Sequence, residues 1–215
     1  MSDRDKPYRA FSSDGHAVHW SAWDETDTNQ VSSDAGQASP DAGNMHELLS
    51  LTWENEAWTA TGNVGREQVQ YVMRISPTWH VRQLLLFRDM DDPDLWLGTD
   101  GHGRWGEMNG AHRPELDGCI DIELTCTPFT HSLPIRRLPL RVGDSTEITV
   151  ASIDVETLDV QPDFRRYTRL GAQRWRLERL ADSATPTPTP TPTIEFDVDE
   201  FGLVTDIDGH FRRRP

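Results

Sequence analysis

The sequence DGCIDIELTCTPFTHSLPIRRLPL, residues 117–140, holds the densest set of special residues in the chain. An alternating strand pattern over residues 119–125 leads into a polar arch that continues to residue 140. Prolines at positions 128, 134 and 139 fix their own φ angles and bias the preceding residues away from a helix. We therefore expect a conformationally preset loop, in which any short helical piece over residues 130–137 is interrupted by Pro134.

Two adjacent arginines, Arg136 and Arg137, follow apolar residues in this loop. Paired guanidinium groups on a preset loop suit an anionic or polyhydroxyl head group, because their donors are held in a fixed geometry. In an acidic protein the same arginines could instead bridge carboxylates, with the prolines serving only to end a strand. The residues alone leave both interpretations open.

On either side of this loop, short alternating runs separated by turn residues predict a series of consecutive strands. These runs cover residues 16–23, 47–53, 58–65, 68–76, 79–88, 94–99 and 104–108 before the loop, and 144–155, 158–160, 163–170, 173–180, 194–199 and 203–207 after it. The pattern predicts a mainly all-β fold with little helix. Residues 1–15 and the basic end of the chain, FRRRP, carry no strand pattern.

The chain of 215 residues fits a single domain over residues 1–215, interrupted by a polar insertion at 24–43 and a Thr-Pro spacer at 185–193. Two pairs of aromatic residues echo each other across it. Tyr71 precedes Trp79 by eight residues, and Tyr167 precedes Trp175 by the same interval. An internal duplication would place both pairs in one strongly curved antiparallel sheet, a β-roll or half-barrel, although chance recurrence is an equal alternative.

The chain is strongly acidic, with 21 basic against 36 acidic residues and a net charge of -15. This charge argues against nucleic acid or an anionic membrane surface as a partner. Lys6 is the single lysine, a composition typical of halophilic proteins that work in concentrated salt. The sequence contains neither a signal peptide pattern nor a run of about 20 apolar residues, so we expect a cytoplasmic protein without a membrane span.

No known catalytic, phosphate-binding or metal-binding motif occurs in the sequence, which predicts neither a cofactor nor a metal. Asp121 and Glu123 share one face of a predicted strand and could act as a carboxylate pair, but ion pairs with arginine are the simpler interpretation. Most of the eight tryptophans should be buried in the core. Trp105, beside Arg104, is the tryptophan we expect at a pocket mouth.

Several of these residues together resemble a known family. The sets Asp100-Gly101-x-Gly103-Arg104-Trp105 and Thr127-Pro128-x-Thr130-x-x-Leu133-Pro134-Ile135-Arg136-Arg137 are similar to those of the bacterial and archaeal family called "putative glycolipid-binding" proteins. The resemblance extends over about residues 16–215. It implies a curved antiparallel sheet similar to that of the bacterial lipoprotein carriers, which hold acyl chains in a half-barrel.

The resemblance implies a protein that binds an amphipathic ligand, a glycolipid or a related lipid, in the concavity of the sheet without catalysis. Two alternatives stay open: an enzyme for a similar substrate that uses Asp121, Glu123 or His131, and a protein-interaction module whose barrel is filled by its own side chains. The expected ligand-binding residues are Arg104, Trp105, Asp121, Thr127, Thr130, His131, Arg136 and Arg137.

Overall fold

The computed structural model describes residues 8–22, 46–65, 68–88, 92–181 and 193–215. Within these ranges the strands are β1 (His16–Ala22), β2 (His46–Glu54), β3 (Ala57–Val64), β4 (Val69–Ile75), β5 (Val81–Phe87), β6 (Leu95–Thr99), β7 (Trp105–Gly106), β8 (Asp121–Leu124), β9 (Ser145–Ile153), β10 (Val160–Arg169), β11 (Arg174–Leu180), β12 (Thr193–Val198), β13 (Val204–Ile207) and β14 (Phe211–Arg214). A 3-10 helix spans Pro114–Leu116, and the α-helix α1 spans Phe129–Arg137. The predicted insertion at 24–43 and all but the last residue of the Thr-Pro spacer lie outside the described residues.

The described strands form one sheet in the order β7-β6-β5-β4-β3-β2-β1-β14-β13-β12-β11-β10-β9-β8. Strands that follow each other in the chain are neighbours in the sheet, except that β7 and β8 form its two edges, and β1 lies beside β14. The strand order is therefore a circular meander that is open between β7 and β8. The predicted fold class, mainly β with one large sheet and little helix, is confirmed.

The two outer strands of the sheet approach each other, although no ladder joins them. The indole Nε1 of Trp105 donates to the carbonyl oxygen of Cys119 at 2.8 Å. The amide of Gly118 donates to the carbonyl oxygen of Gly103 at 2.9 Å. Residues beside opposite ends of the strand order can meet in this way only if the sheet curls strongly, as right-handed twist and coiling allow.

One pair of strands departs from the predicted antiparallel arrangement. Strand β8 pairs with β9 in parallel, with Asp121 opposite Val150 and Leu124 opposite Ile153. Parallel neighbours cannot be joined by a tight turn and need a crossover connection. Helix α1 supplies that connection, so the expected antiparallel sheet is in fact a mixed one.

The segment predicted as a preset loop is this helix. Pro134 lies inside α1 and removes one backbone donor, which by itself would favour a break. The helix persists because Phe129, Leu133 and Ile135 are fully buried, and burial of an apolar side chain is worth about 1.5–3 kcal/mol. Tertiary packing therefore outweighs the local effect of the proline.

Two terminal segments that carry no strand pattern are also ordered parts of the fold. The basic end of the chain forms β14, which lies between β1 and β13, although no strand was predicted there. Near the other end, Tyr8 and Phe11 are buried, and the amide of Arg9 donates to the carbonyl oxygen of Glu200 at 2.8 Å. Residues 8–13 therefore pack against the sheet.

Helix α1 lies inside the curve of the sheet and contacts strands from both halves. The ring of Phe129 stacks on Tyr71 of β4 with centroids 6.4 Å apart, and His131 stacks on Phe196 of β12 at 5.7 Å. The amide of Val204 in β13 donates to the Ser132 hydroxyl at 3.2 Å. The helix thus fills much of the concavity that a ligand was expected to occupy.

In the described part of the chain, no helix has both the length and the apolar character that crossing a membrane requires.

Gly62 provides a test of how closely the sheet packs against α1. The ring of Tyr71 lies over Gly62 from the neighbouring strand, so a β-carbon at position 62 would overlap that ring. We expect Gly62→Ala to lower the free energy of unfolding by about 1–3 kcal/mol, because the fully buried tyrosine has no space into which it can shift. Urea denaturation followed by circular dichroism measures this change.

Gly171→Ala is the matched control. Gly171 has no positive φ, and an added β-carbon there would meet its nearest neighbour at 3.4 Å, which is ordinary contact. We expect a change within about 0.5 kcal/mol. Equal unfolding midpoints for the two variants would contradict the close packing of Tyr71 over Gly62.

Candidate functional site

A pocket of about 440 Å³ opens at the C-terminal end of α1. We call it the aromatic pocket, because its walls include Tyr8, Phe11, Trp53, Trp58 and Trp79. These residues come from the segment before β1, from the β2–β3 hairpin and from the turn between β4 and β5. The fold therefore gathers at one point aromatic residues that are far apart in the sequence, and sites for small molecules have this size and character.

The backbone at Trp79 is held in an unusual conformation. Its φ angle is +66°, a left-handed value that is rare for a bulky residue and costs about 1–3 kcal/mol. The amide of Trp79 donates to Ser76 O at 2.9 Å, and the amide of Ser76 donates to His80 O at 2.8 Å, so a tight turn enforces this value. The turn directs the indole into the pocket wall, where its centroid lies 5.7 Å from that of Phe11.

Arg136 lies in the aromatic pocket over two adjacent rings. Its guanidinium carbon is 4.4 Å from the centroid of Phe11 and 4.2 Å from that of Trp79, both cation–π distances. Its Nη1 donates to the carbonyl oxygen of Phe201, and its Nη2 donates to that of Arg9 at 3.3 Å. Burial lowers the pKa of Arg136 to about 10, so the side chain remains a cation at neutral pH.

Arg137 also lines the pocket, but its charge is already neutralised. Its Nη2 donates to Oδ2 of Asp121 at 2.5 Å, and its Nε donates to Oδ1 at 3.4 Å. Asp121 is completely buried, and burial raises the pKa of its carboxyl group while Arg137 opposes that rise. The two residues therefore form a buried ion pair. The alternative in which the arginines bridge carboxylates thus applies to Arg137.

Thr127 and Thr130 lie at the opposite end of the helix from the pocket. The Thr127 hydroxyl donates to Oε1 of Glu47 at 2.7 Å, and the phenol of Tyr71 donates to the same oxygen at 2.6 Å. The Thr130 hydroxyl is buried and lies 3.5 Å from the carbonyl oxygen of Thr127. Thr127 thus joins the start of the helix to the sheet, Thr130 bonds back within its own segment, and the buried Glu47 is a polar residue that the sequence pattern did not single out.

The groups considered for catalysis are buried and occupied by neighbours. Glu123 forms an ion pair with Arg165, which also binds Asp163 at 2.7 Å. His131 lies 3.3 Å from the phenol of Tyr167, and burial lowers the pKa of its imidazole to about 3. Neither Glu123 nor His131 lines the aromatic pocket.

Arg104 and Trp105 lie away from the aromatic pocket. Arg104 is exposed beside the turn that precedes β7, where its amide donates to the Asp100 carboxylate at 3.2 Å. Trp105 is 1% exposed and joins the two outer strands through its hydrogen bond to Cys119. Of the expected ligand-binding residues, the fold brings Arg136 and Arg137 to this pocket, with Asp121 behind them.

A second cavity of about 220 Å³ lies beside the N-terminal end of α1, with Trp20, Glu47, Cys126 and Phe211 in its wall. Its volume is half that of the aromatic pocket, and fewer of the residues in its wall are Trp, Tyr or Phe. In the part of the chain that the structure describes, no three His, Cys, Asp or Glu side chains lie close enough to hold a metal ion. The aromatic pocket is therefore the better candidate for a small-molecule site.

Comparison with known proteins assigns a family to this fold. The model of a family described as "Putative glycolipid-binding" matches residues 39–213. The fold is similar to a crystal structure of a DUF1089 family protein from Pseudomonas aeruginosa, with a TM-score of 0.65 and 30% sequence identity over 86% of this chain and 100% of that chain. No curated protein sequence matches the chain. The likeness of the sheet to bacterial lipoprotein carriers stays a prediction.

The buried pair gives a prediction about stability. Arg137→Ala leaves the fully buried Asp121 carboxylate without its partner, and breaking a buried pair from one side typically costs about 3–5 kcal/mol. We expect a loss of this size in the free energy of unfolding, measured by chemical denaturation.

Arg166→Ala removes a comparable pair from the surface. Arg166 binds Glu147 at 2.6 Å, but the two side chains are 39% and 60% exposed, so water replaces the lost contact and the loss should be much smaller. If Arg137→Ala proved no more destabilising than Arg166→Ala, the assigned structural role of Arg137 would be wrong.

Proposed function

Because the chain belongs to the putative glycolipid-binding family, we propose that it binds the head group of a glycolipid, or of a related lipid, in the aromatic pocket. The observation that carries the proposal is the convergence of five aromatic side chains and a guanidinium cation around one opening of about 440 Å³. The proposed role is binding without catalysis.

The chemistry of the walls suits a sugar attached to an apolar chain. The C–H face of a sugar ring packs on an aromatic ring, while the hydroxyl groups at its edge remain at the open side of the pocket. Trp53 is 37% exposed and makes an edge contact with Trp58 at 5.0 Å, so one of its faces is available to a ligand.

The size of the pocket limits which part of a lipid it takes. Sites for small molecules occupy roughly 300–1,000 Å³. A pocket of about 440 Å³ lies near the lower end of this range, so it suits a head group with the first part of a chain. The concavity of the sheet is occupied by α1, and the proposed site is therefore at the mouth of the curved sheet instead of in its interior.

The alternative of an enzyme that uses Asp121, Glu123 or His131 has less support. Asp121 forms a buried ion pair with Arg137, and Glu123 forms one with Arg165. An acid or base for catalysis must reach the reacting atoms directly or through one water molecule. The buried interior around α1 provides packing and charge neutralisation, which are structural roles.

Two octyl glycosides, the neutral β-D-glucoside and the acidic β-D-glucuronide, test the proposal when they are used below their micelle concentrations. We expect the wild-type protein to bind at least one of these glycosides, and to bind octanol more weakly. Tryptophan fluorescence and native mass spectrometry measure the binding. Trp53→Ala should weaken glycoside binding about tenfold, since loss of an aromatic contact of this kind costs more than 1 kcal/mol.

Phe164→Ala is the matched control, because Phe164 is an aromatic residue of the sheet with 36% exposure that does not line the pocket. Its dissociation constants should equal those of the wild type. Binding of neither glycoside by the wild type, or equal losses in the two variants, would refute the assignment of the aromatic pocket.

A further inference from the structure

The charges around the aromatic pocket do not balance. Three carboxylates lie close to it, and each already has an arginine of its own. The pairs are Asp121 with Arg137, Asp199 with Arg213, and Glu200 with Arg9. Asp199 is occupied further, because its Oδ1 accepts from the amides of Phe201 and Leu203 at 2.9 Å each. The more buried carboxylates, Asp121 and Asp199, are therefore occupied by other partners, while Glu200 and Arg9 form an exposed pair 3.6 Å apart.

Arg136 is a cation left over by this pairing. Among the described residues, no carboxylate forms an ion pair with it, and its hydrogen bonds go to two backbone carbonyl oxygens. Its Nε is buried and has no hydrogen-bond acceptor within the described part of the chain. A partly buried charge without an ion-pair partner carries a desolvation cost, which the more distant Asp199 offsets only in part.

A second arginine beside the pocket is in the same situation. Arg169 donates to the carbonyl oxygens of Leu140, Gly171 and Ala172, and no described carboxylate pairs with it. Its guanidinium carbon lies 5.6 Å from the centroid of Tyr8, a residue of the pocket wall. The pocket is thus flanked by two positive charges in a chain whose net charge is -15.

Partial charges in the same region act against an anion, but they are smaller. The carbonyl oxygens bound to Arg136 carry only partial charges, and the C-terminal end of a helix is equivalent to about half a negative charge. That dipole also weakens within the last turn of the helix. Two whole positive charges exceed these partial charges, so Arg136 and Arg169 favour an anion beside the opening.

Resting on the proposed function, we infer that the ligand of the aromatic pocket carries an anionic substituent, a carboxylate, sulfate or phosphate, that pairs with Arg136. The sugar ring packs on the indoles, and the charged group binds the guanidinium that lies over Phe11 and Trp79. Planar guanidinium groups are suited to such oxyanions, because their donors match the spacing of the oxygens.

The two octyl glycosides form a matched pair for this test, since the glucuronide differs from the glucoside only by a carboxylate in place of a hydroxymethyl group. We expect wild-type protein to bind the glucuronide at least about tenfold more tightly, as charged hydrogen bonds contribute more than neutral ones. Isothermal titration calorimetry at pH 7 gives both dissociation constants without any substitution in the protein.

Substitutions locate the preference at Arg136. Arg136→Gln should bring the two dissociation constants within about twofold of each other, while Arg136→Lys should keep part of the preference because it keeps the charge. Arg104→Gln removes the same charge from an exposed position outside the pocket, and it should retain the full preference.

The outcomes separate this inference from the proposed function. Equal binding of the two glycosides by the wild type, or tighter binding of the glucoside, would overturn the anionic ligand and leave glycolipid binding intact. Binding of neither would overturn both. An equal loss of preference in Arg136→Gln and Arg104→Gln would show that the effect is one of overall charge, and it would overturn the pairing with Arg136.

Discussion

The structure depends on the burial of α1 on nearly every side by a single sheet. A helix in this position must satisfy its polar side chains inside the protein, because buried groups without partners are costly. Polar residues of the helix and of the turn before it do so with different strands: Thr127 binds Glu47 of β2, and Ser132 accepts from Val204 of β13. The same helix is the crossover that makes β8 and β9 parallel. The curvature of the sheet, the direction of its edge strand β8 and the position of the helix therefore depend on one another.

This constraint also decides where a ligand can bind. With the concavity occupied by α1, an opening is left at each end of the helix. At the N-terminal end, Tyr71 and Thr127 converge on Glu47, and only a small cavity remains. At the C-terminal end the chain turns away toward β9, and the gap is lined by aromatic residues that the sheet and the segment before β1 provide. The larger pocket is therefore a consequence of how the helix ends.

Much of this fold could be predicted from the sequence, because alternation of apolar residues and short turns are local signals. What could not be predicted depends on distant contacts. Alternation does not report whether neighbouring strands are parallel, so the β8–β9 pair was missed. Pro134 indicated a loop, and only burial of the helix overrides it. The basic end of the chain lacks a strand pattern, yet it pairs with β1 because that position in the sheet is free.

The sequence indicated the chemistry of the candidate site and two of its residues, Arg136 and Arg137, but not its aromatic wall. The abundance of tryptophan indicated an aromatic site. The sequence favoured Trp105 for this site, because Trp105 follows Arg104 in the chain. Trp105 instead joins the outer strands. The walls of the pocket come from positions as distant as Phe11, Trp53 and Trp79, which only the curved sheet brings together. A contact that links such separate segments leaves no local pattern in the sequence.

The adjacent arginines Arg136 and Arg137 have different roles in the structure, although they form one motif in the sequence. Successive residues of an α-helix point about 100° apart, so neighbours at the end of a helix face different surroundings. Arg137 turns toward β8 and neutralises Asp121, while Arg136 turns toward Phe11 and Trp79. The two opposing interpretations of the pair, as an ion-pairing element and as a ligand-binding element, therefore apply to one residue each. Because the buried ion pair fixes the last turn of α1, the residue that supports the fold also positions the residue that faces the pocket.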